Sequence, residues 1–285
     1  MTILVTGATG GFGKALLPLL RSTYAEPVIG VGRAIFTGSD YIQCDISNEA
    51  AVLSLIRSIR PRLIFHLVGS FTGQFEADFQ VNVLSARYLF DAILSENLLT
   101  RVVIIGSAAE YGIVQSVNNP ISEALPCNPV SIYGLTKFFQ TQLALFYSRA
   151  KNLDIVVARV FNLALPGLSA RLFYGRAEEL IRSYKRGDIS KLEFGNLDSQ
   201  RDYVELEQAK GQLIAIASGG VAGEIYNVGS GIPKSMRVIL KDMLVHEGIL
   251  EWPVLELNSE IVGNKGFDVS VVYADIEKTT KLLDN

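Results

Sequence analysis

The stretch from Ile3 to Leu20 carries the strongest constraint on the fold. Ile3-Leu4-Val5 is an apolar, β-branched run that reads as a buried strand. Thr6-Gly7-Ala8-Thr9-Gly10-Gly11-Phe12-Gly13 follows as a glycine-rich turn, and Lys14-Ala15-Leu16-Leu17-Pro18-Leu19-Leu20 continues with apolar residues at helical spacing. A strand that passes through a glycine turn straight into a helix opens a βα unit, the setting in which glycines become a phosphate-binding fingerprint. Gly7, Gly10 and Gly13 are spaced G-x-x-G-x-x-G rather than the common G-x-G-x-x-G. Such glycines let the backbone approach a diphosphate, whose charge is met by N–H groups at the helix N-terminus. A purely structural glycine turn is the alternative.

The alternation continues. Val28-Ile29-Gly30-Val31 reads as the second strand, and Tyr41 to Ile46 precedes a helix capped by Ser47 or Asn48 with Glu49 in its first turn. Leu63 to Val68 is the third strand, followed by a helix from Phe79 through Asn82 to near Asn97. Val102 to Ile105 is the fourth strand and ends at Gly106-Ser107; Ile155 to Ala158 is the fifth. Near-continuous apolar strands separated by helices predict an α/β fold with a doubly wound parallel sheet of the Rossmann type. Beyond Arg159 the pattern loosens: Ala177 to Lys185 and Leu206 to Ser218 read as helices, Leu192 to Gly195 and Gly223 to Gly229 as strands. The expected organisation is a dinucleotide-binding domain over 1–160, with 206–229 returning to it. A smaller, partly discontinuous C-terminal substrate lobe is expected from 161–205 and 230–285. Substrate is then expected between the lobes, outside the carboxyl ends of the strands.

Bulk properties exclude several classes. The chain has 285 residues, enough for a full core and an added substrate-binding part. Its formal net charge of −3 provides no broad basic field, so nucleic acid is not an expected partner. Cys44 and Cys127 are the only cysteines, too few for a disulfide framework and without metal-ligand spacing. Of the two histidines, His66 and His246, His66 lies inside an apolar strand and is expected to be packed or beside the cofactor. No stretch reaches the length of a membrane span, and a glycine motif so near the first residue leaves no room for a signal peptide. A cytoplasmic enzyme with no membrane partner and no metal is expected.

Tyr133 and Lys137 are four residues apart in Ser131-Ile132-Tyr133-Gly134-Leu135-Thr136-Lys137. On a helix this spacing puts both on one face, where an ammonium is expected to lower the phenol pKa from roughly 10 and ready it for acid–base work. An exposed helix pair is the alternative for the two residues taken alone. NAD binders place an acid at the tip of the second strand, whereas an Arg accommodates the 2′-phosphate of NADP. Here the tip is Gly32-Arg33-Ala34-Ile35-Phe36, with no acid before Ser39. Arg33 therefore favours NADP(H), with NAD(H) possible; a solvated loop charge is its alternative.

The ordered set of motifs resembles the extended short-chain dehydrogenase/reductase superfamily, in its nucleotide-sugar epimerase, dehydratase and reductase branch. The set comprises T-G-x-x-G-x-x-G, Asp45-Ile46, His66-Leu67-Val68, Asn82-Val83 and Ser107 to Gly112. Tyr133 to Lys137, Arg159 to Asn162, Gly195 to Tyr203 and Tyr226 to Gly229 complete it. The resemblance implies a cofactor site at Gly7, Gly10, Phe12, Gly13, Arg33, Asp45, Ile46, Leu67, Val68, Asn82, Tyr133 and Lys137. Asp45 is then at the adenine amide, or else a helix cap. It further implies Tyr133 as proton donor, Lys137 also on the nicotinamide ribose, and Ser107 steadying the substrate oxygen. Glu110, Asn162 and Arg201 are implied at the substrate; a turn-forming role for Asn162 and a surface pair with Asp202 for Arg201 are the alternatives.

Dehydratases of this family place Asp and Glu after the Ser/Thr, where this chain has Ala108 and Ala109, so elimination of water is not expected. Glu110-Tyr111, Arg33 and Phe194 to Tyr203 look most like reductases of GDP-4-keto-6-deoxy sugars. Departures fall at Val68-Gly69-Ser70, Pro166 to Arg176 and Val262 to Asp268. The expected activity is NADPH-dependent reduction of a 4-keto-6-deoxy nucleotide sugar. An NAD-dependent nucleotide-sugar 4-epimerase and a non-catalytic dinucleotide sensor are the alternatives. Val83, Tyr88, Leu89, Phe90, Ile93 and Leu94 form an apolar stripe larger than one sheet face requires, and relatives pair this helix across a dimer, so a homodimer is expected.

Overall fold

The computed structural model describes residues 1–34, 40–257 and 269–284. The tip residues Ile35 and Phe36 and the departure at Val262 to Asp268 lie outside the described residues. Seven parallel strands form the main sheet: β1 (Ile3–Thr6), β2 (Val28–Gly32), β3 (Tyr41–Gln43), β4 (Leu63–His66), β5 (Arg101–Ser107), β6 (Ile155–Val160) and the late strand Ile225–Val228. That late strand pairs in parallel with β6, and the order across the sheet from it is β6, β5, β4, β1, β2, β3. Strand order therefore reverses between β1 and β4, whose registers align Thr6 with His66. Their carboxyl ends open the crevice where doubly wound sheets bind ligands.

Side chains alternate across the sheet. Leu4, Ile64, Val102, Ile104, Ile155 and Val157 are buried with Val52, Leu55, Leu89, Phe90, Ile93, Ala144 and Leu145. Ile3, Val5, Leu63, Phe65, Val103, Ile105 and Val156 are buried with Leu16, Leu20, Leu213 and Ile216. Each such aliphatic side chain contributes about 1.5–3 kcal/mol by leaving water, and burial on both faces is why the strands read as unbroken apolar runs. The first five helices are α1 (Gly11–Thr23), α2 (Glu49–Ile59), α3 (Phe75–Phe79), α4 (Ser85–Ser95) and α5 (Ile132–Lys151); α1, α2, α4 and α5 supply these covering side chains, with Leu213 and Ile216 coming from a later helix, Leu206–Gly219. Asn48 is the cap of α2, its side chain accepting from the Ala51 N–H at 3.0 Å.

Two expectations are corrected here. The helix expected from Phe79 begins at Phe75, and a π-helical turn, Gln80–Leu84, joins α3 to α4. Asp78 explains the early start: it is fully buried and its carboxylate binds the backbone N–H groups of Thr72 and Gly73 in the preceding loop. The apolar stripe is also accounted for within one chain, because Val83, Leu89, Phe90 and Ile93 are buried in its own core.

The smaller region starts with β7 (Asn162–Ala164) and α6 (Phe173–Arg186), then β8 (Leu192–Phe194) and β9 (Gln200–Glu205). The chain next passes through α7 (Leu206–Gly219), packed on the main sheet, and the late strand of that sheet, β10. It returns through β11 (Pro233–Ser235), α8 (Met236–His246), β12 (Val254–Glu256) and β13 (Val271–Val272), and ends with α9 (Glu277–Leu283). β9 pairs with β7, β11 and β13, and β8 with β12. A separate cluster of Ala177, Ile181, Leu192, Phe194, Leu197, Leu240, Leu244 and Ile249 is its core. Among the described residues, no helix is long and apolar enough to cross a membrane, and no group of three His, Cys, Asp or Glu side chains is placed to hold a metal.

Candidate active site

The glycine turn is built as a cradle. Gly7 lies in the left-handed region at φ +74°, and a Cβ added there would stand 3.0 Å from the Leu67 carbonyl carbon and the Val68 nitrogen. A Cβ on Gly13 would fall 2.2 Å from the Gly7 oxygen. Only glycine fits either place, so the backbone closes tightly beneath the first turn of α1. Gly10 caps that helix with no side-chain hydrogen bond, leaving the first-turn N–H groups for an anion. The cradle fits a dinucleotide diphosphate. Leu67 and Val68 border it, half-buried, while Phe12 turns its ring toward the core below.

Arg33 is exposed just past β2 and its charge reaches Asp45. Asp45 is exposed, and its Oδ1 accepts from Ser47 N–H at 3.0 Å and Ser47 Oγ at 2.7 Å; Ile46 beside it is buried. The Ser47 hydroxyl bond is the chief reason the Asp45 carboxyl sits below its ordinary pKa. Asn82, expected at the cofactor, is fully buried instead. Its amide binds both backbone groups of Ser70, at 2.6 and 3.0 Å, and donates to Thr136 Oγ1 at 2.8 Å. It therefore fixes the wall after β4 against α5.

Ser107 ends β5 and Tyr133 opens α5, where Ser131 caps the helix through the Gly134 N–H at 3.0 Å. The Ser107 side chain neighbours the Tyr133 phenol and accepts from the Ala109 N–H at 3.2 Å. Lys137 is buried one turn on, and its ammonium donates to the Ile105 carbonyl and to Gln140 Oε1. The expected lowering of the phenol pKa is corrected. Burial pushes Tyr133 up, opposed by the neighbouring Ser107 hydroxyl and aided by the Glu110 and Asp78 carboxylates. The Lys137 charge is instead turned into the Ile105 carbonyl and Gln140, and burial brings its own pKa down to about 8. A phenol so held keeps its proton at neutral pH, the state of a proton donor.

Glu110 was expected at the substrate, and the structure places it elsewhere. It is 0% exposed: Oε1 accepts the Ser107 N–H at 2.7 Å, and Oε2 pairs with Arg159 at 2.9 Å. Arg159 is 1% exposed and its guanidinium also lies over the Tyr111 ring at 4.5 Å. Sequence reading missed this support for Ser107, although a charged residue inside the apolar run Ile155–Val160 signals a buried partner. Asn162 and Arg201 lie on β7 and β9 of the smaller region. Asn162 donates to the Asp202 carbonyl at 3.0 Å, and Arg201 donates to the carbonyls of Gln200 at 2.8 Å and Val269 at 2.7 Å. His66 is buried between Thr6 (Oγ1···Nδ1 2.9 Å) and Ser85, and burial drives its pKa to about 3, so it is a neutral packing residue.

GDP-6-deoxy-D-mannose reductase of Pseudomonas aeruginosa is 28% identical over 163 residues, 57% of this chain and 54% of that protein, so the match spans about half of that relative. GDP-6-deoxy-D-talose 4-dehydrogenase of Aggregatibacter actinomycetemcomitans is 26% identical over 100% of this chain and 92% of that one. The solved structure of RMD from Pseudomonas aeruginosa complexed with NADPH shares the fold, with a TM-score of 0.85 at 22% identity over 99% of this chain and 92% of that chain. Residues 3–229 match the NAD dependent epimerase/dehydratase family, and the chain belongs to that family of NAD(P)-dependent enzymes.

Proposed function

We propose that this protein reduces the 4-keto group of a GDP-linked 4-keto-6-deoxy sugar with NADPH. The observation that carries the reading is the convergence of Ser107, Tyr133 and Lys137 beside the glycine cradle, with alanines at positions 108 and 109. That arrangement supports carbonyl reduction and lacks the acid–base pair that removal of water needs. Two relatives named for GDP-6-deoxy sugars support the choice of substrate. Arg33, with no acid at Gly32 or Ala34, supports NADP(H) over NAD(H).

In this reading the backbone of Gly7, Gly10, Phe12 and Gly13 would hold the diphosphate, Arg33 the 2′-phosphate, Asp45 and Ile46 the adenine, and Leu67 and Val68 the nicotinamide side. Bound there, the dinucleotide supplies a hydride to the keto carbon. Ser107 and Tyr133 hydrogen-bond the keto oxygen as it gains charge, and Tyr133 gives it the phenolic proton. Lys137 carries positive charge one helical turn away, and Asn162 and Arg201 face the nucleotide sugar, Arg201 suited to its phosphates.

The test follows nicotinamide absorbance with GDP-4-keto-6-deoxymannose, comparing NADPH with NADH. We expect turnover with NADPH and a fall of about 10²–10⁴-fold in kcat for Tyr133→Phe with an unchanged melting temperature. No turnover, with tightly held NAD copurifying, would replace this reading with a nucleotide-sugar 4-epimerase. The same proposal includes a cytoplasmic location and a homodimer joined through α3, α4 and α5. Phe146 on α5 is 55% exposed and Phe75 37%, with Phe79 and Phe139 rings 6.2 Å apart nearby. Sedimentation at micromolar concentration should give twice the chain mass; a single-chain mass ends that part of the proposal.

A further inference from the structure

Phe71 borders the candidate proton donor, and the loop that carries it is fixed from three directions. Asn82 binds Ser70 through both backbone groups. The buried Asp78 carboxylate accepts from Ser70 Oγ at 2.7 Å, Thr72 N–H at 2.8 Å, Thr72 Oγ1 at 2.8 Å and Gly73 N–H at 3.0 Å. Arg171, from the segment leading into α6, donates to the Phe71 carbonyl. The Phe71 ring meets the Tyr133 ring nearly edge-on, at 69° with centroids 5.0 Å apart, and 42% of the residue stays exposed. Phe71 is therefore a held apolar wall beside the phenol.

A keto oxygen bound by Ser107 and Tyr133 puts the reacting carbon at the phenol, and substituents of the adjoining ring carbons against whatever borders it. A 4-keto-6-deoxy hexose has a hydroxyl on the C3 side and a methyl on the C5 side. The Phe71 ring has no donor or acceptor. A hydroxymethyl group pressed on it loses its bonds to water without replacement, whereas a methyl group loses none. We infer that Phe71 is the residue by which this protein selects the 6-deoxy position and rejects the 6-hydroxylated sugar. The inference rests on the reductase reading.

The test runs the reaction backward at alkaline pH, where the C4 hydride passes to NADP⁺ and the C4 hydroxyl proton passes to the Tyr133 phenolate. The probes are GDP-6-deoxymannose and GDP-6-deoxytalose, each beside its 6-hydroxylated counterpart, with kcat/KM measured for all four. Whichever C4 epimer reacts, the 6-deoxy form should be preferred by about 10²-fold. Phe71→Ser should reduce that preference to less than about tenfold, while Phe71→Leu, which keeps an apolar wall, should retain it. Equal rates in the unaltered protein overturn the inference and leave the reductase reading standing, without depending on the folding of any variant. A preference undiminished in Phe71→Ser does the same. No oxidation of any of the four, with NADP⁺ binding demonstrated, overturns the reductase reading and this inference with it.

Discussion

The main sheet and the smaller region hold their candidate site residues in place by different means. On the main-sheet side, Ser107 stands on a fully buried ion pair, Glu110 with Arg159, and Tyr133 on a helix fixed through Thr136 to Asn82. In the smaller region, Asn162 and Arg201 ride on short strands whose neighbours come from distant parts of the chain. There one carboxylate does the joining: Asp202, buried, accepts from Ser230 N–H at 2.7 Å, Ser230 Oγ at 2.6 Å, Gly231 N–H at 2.9 Å and Ala274 N–H at 3.1 Å. In the proposed reaction the contrast separates two tasks. Proton transfer needs fixed atoms inside a sheet core, whereas recognition needs loops brought together, which a single acceptor of several backbone amides can do.

Removing each anchor in turn breaks this comparison open. Glu110→Ala leaves the Arg159 guanidinium buried without its counter-ion and should cost about 3–5 kcal/mol of stability. It also frees the Ser107 N–H, so kcat should fall at saturating sugar. Asp202→Ala strands the N–H groups of Ser230, Gly231 and Ala274, for a loss of about 3 kcal/mol, and should raise KM with a smaller change in kcat. Urea unfolding and steady-state kinetics on both variants check this. Equal falls in kcat would mean that the two sides act as one unit.

The same contrast sets how much was legible in the sequence. The main strands were visible because burial on both faces leaves unbroken apolar runs, and Ser107, Tyr133 and Lys137 because their motifs fall at strand and helix ends. The onset of α3 was hidden, since a polar side chain, Asp78, makes the start rather than an apolar period. The place of Glu110 was misread because its partner Arg159 is 49 residues away. Helix spacing put Lys137 on the face of Tyr133, yet it could not reveal that the Ile105 carbonyl and Gln140 would draw the ammonium inward. The small strands of the second region are two to six residues long, too short for periodicity to define.

The smallest expected effect sharpens the comparison through pH. His66 is buried in the main sheet and its pKa falls from its ordinary value to about 3 because burial, and then the Lys137 charge, disfavour its cation. The unfolded chain takes up this proton near pH 6.5 while the folded chain does not, so stability is full above that value and declines as pH falls toward 3. Between pH 8 and pH 5 the loss from this residue should be about 2 kcal/mol. Lys137 has the same sign higher up: its pKa is lowered to about 8, so stability rises with pH between about 8 and its ordinary value of 10.5. Urea unfolding of the protein and of His66→Gln at pH 8 and pH 5 isolates the first contribution. The unaltered protein should lose about 2 kcal/mol more than the variant across that interval. Equal losses would show that the imidazole reaches water or a carboxylate in the folded state, and the dry packing between Thr6 and Ser85 at the floor of the crevice would then be wrong.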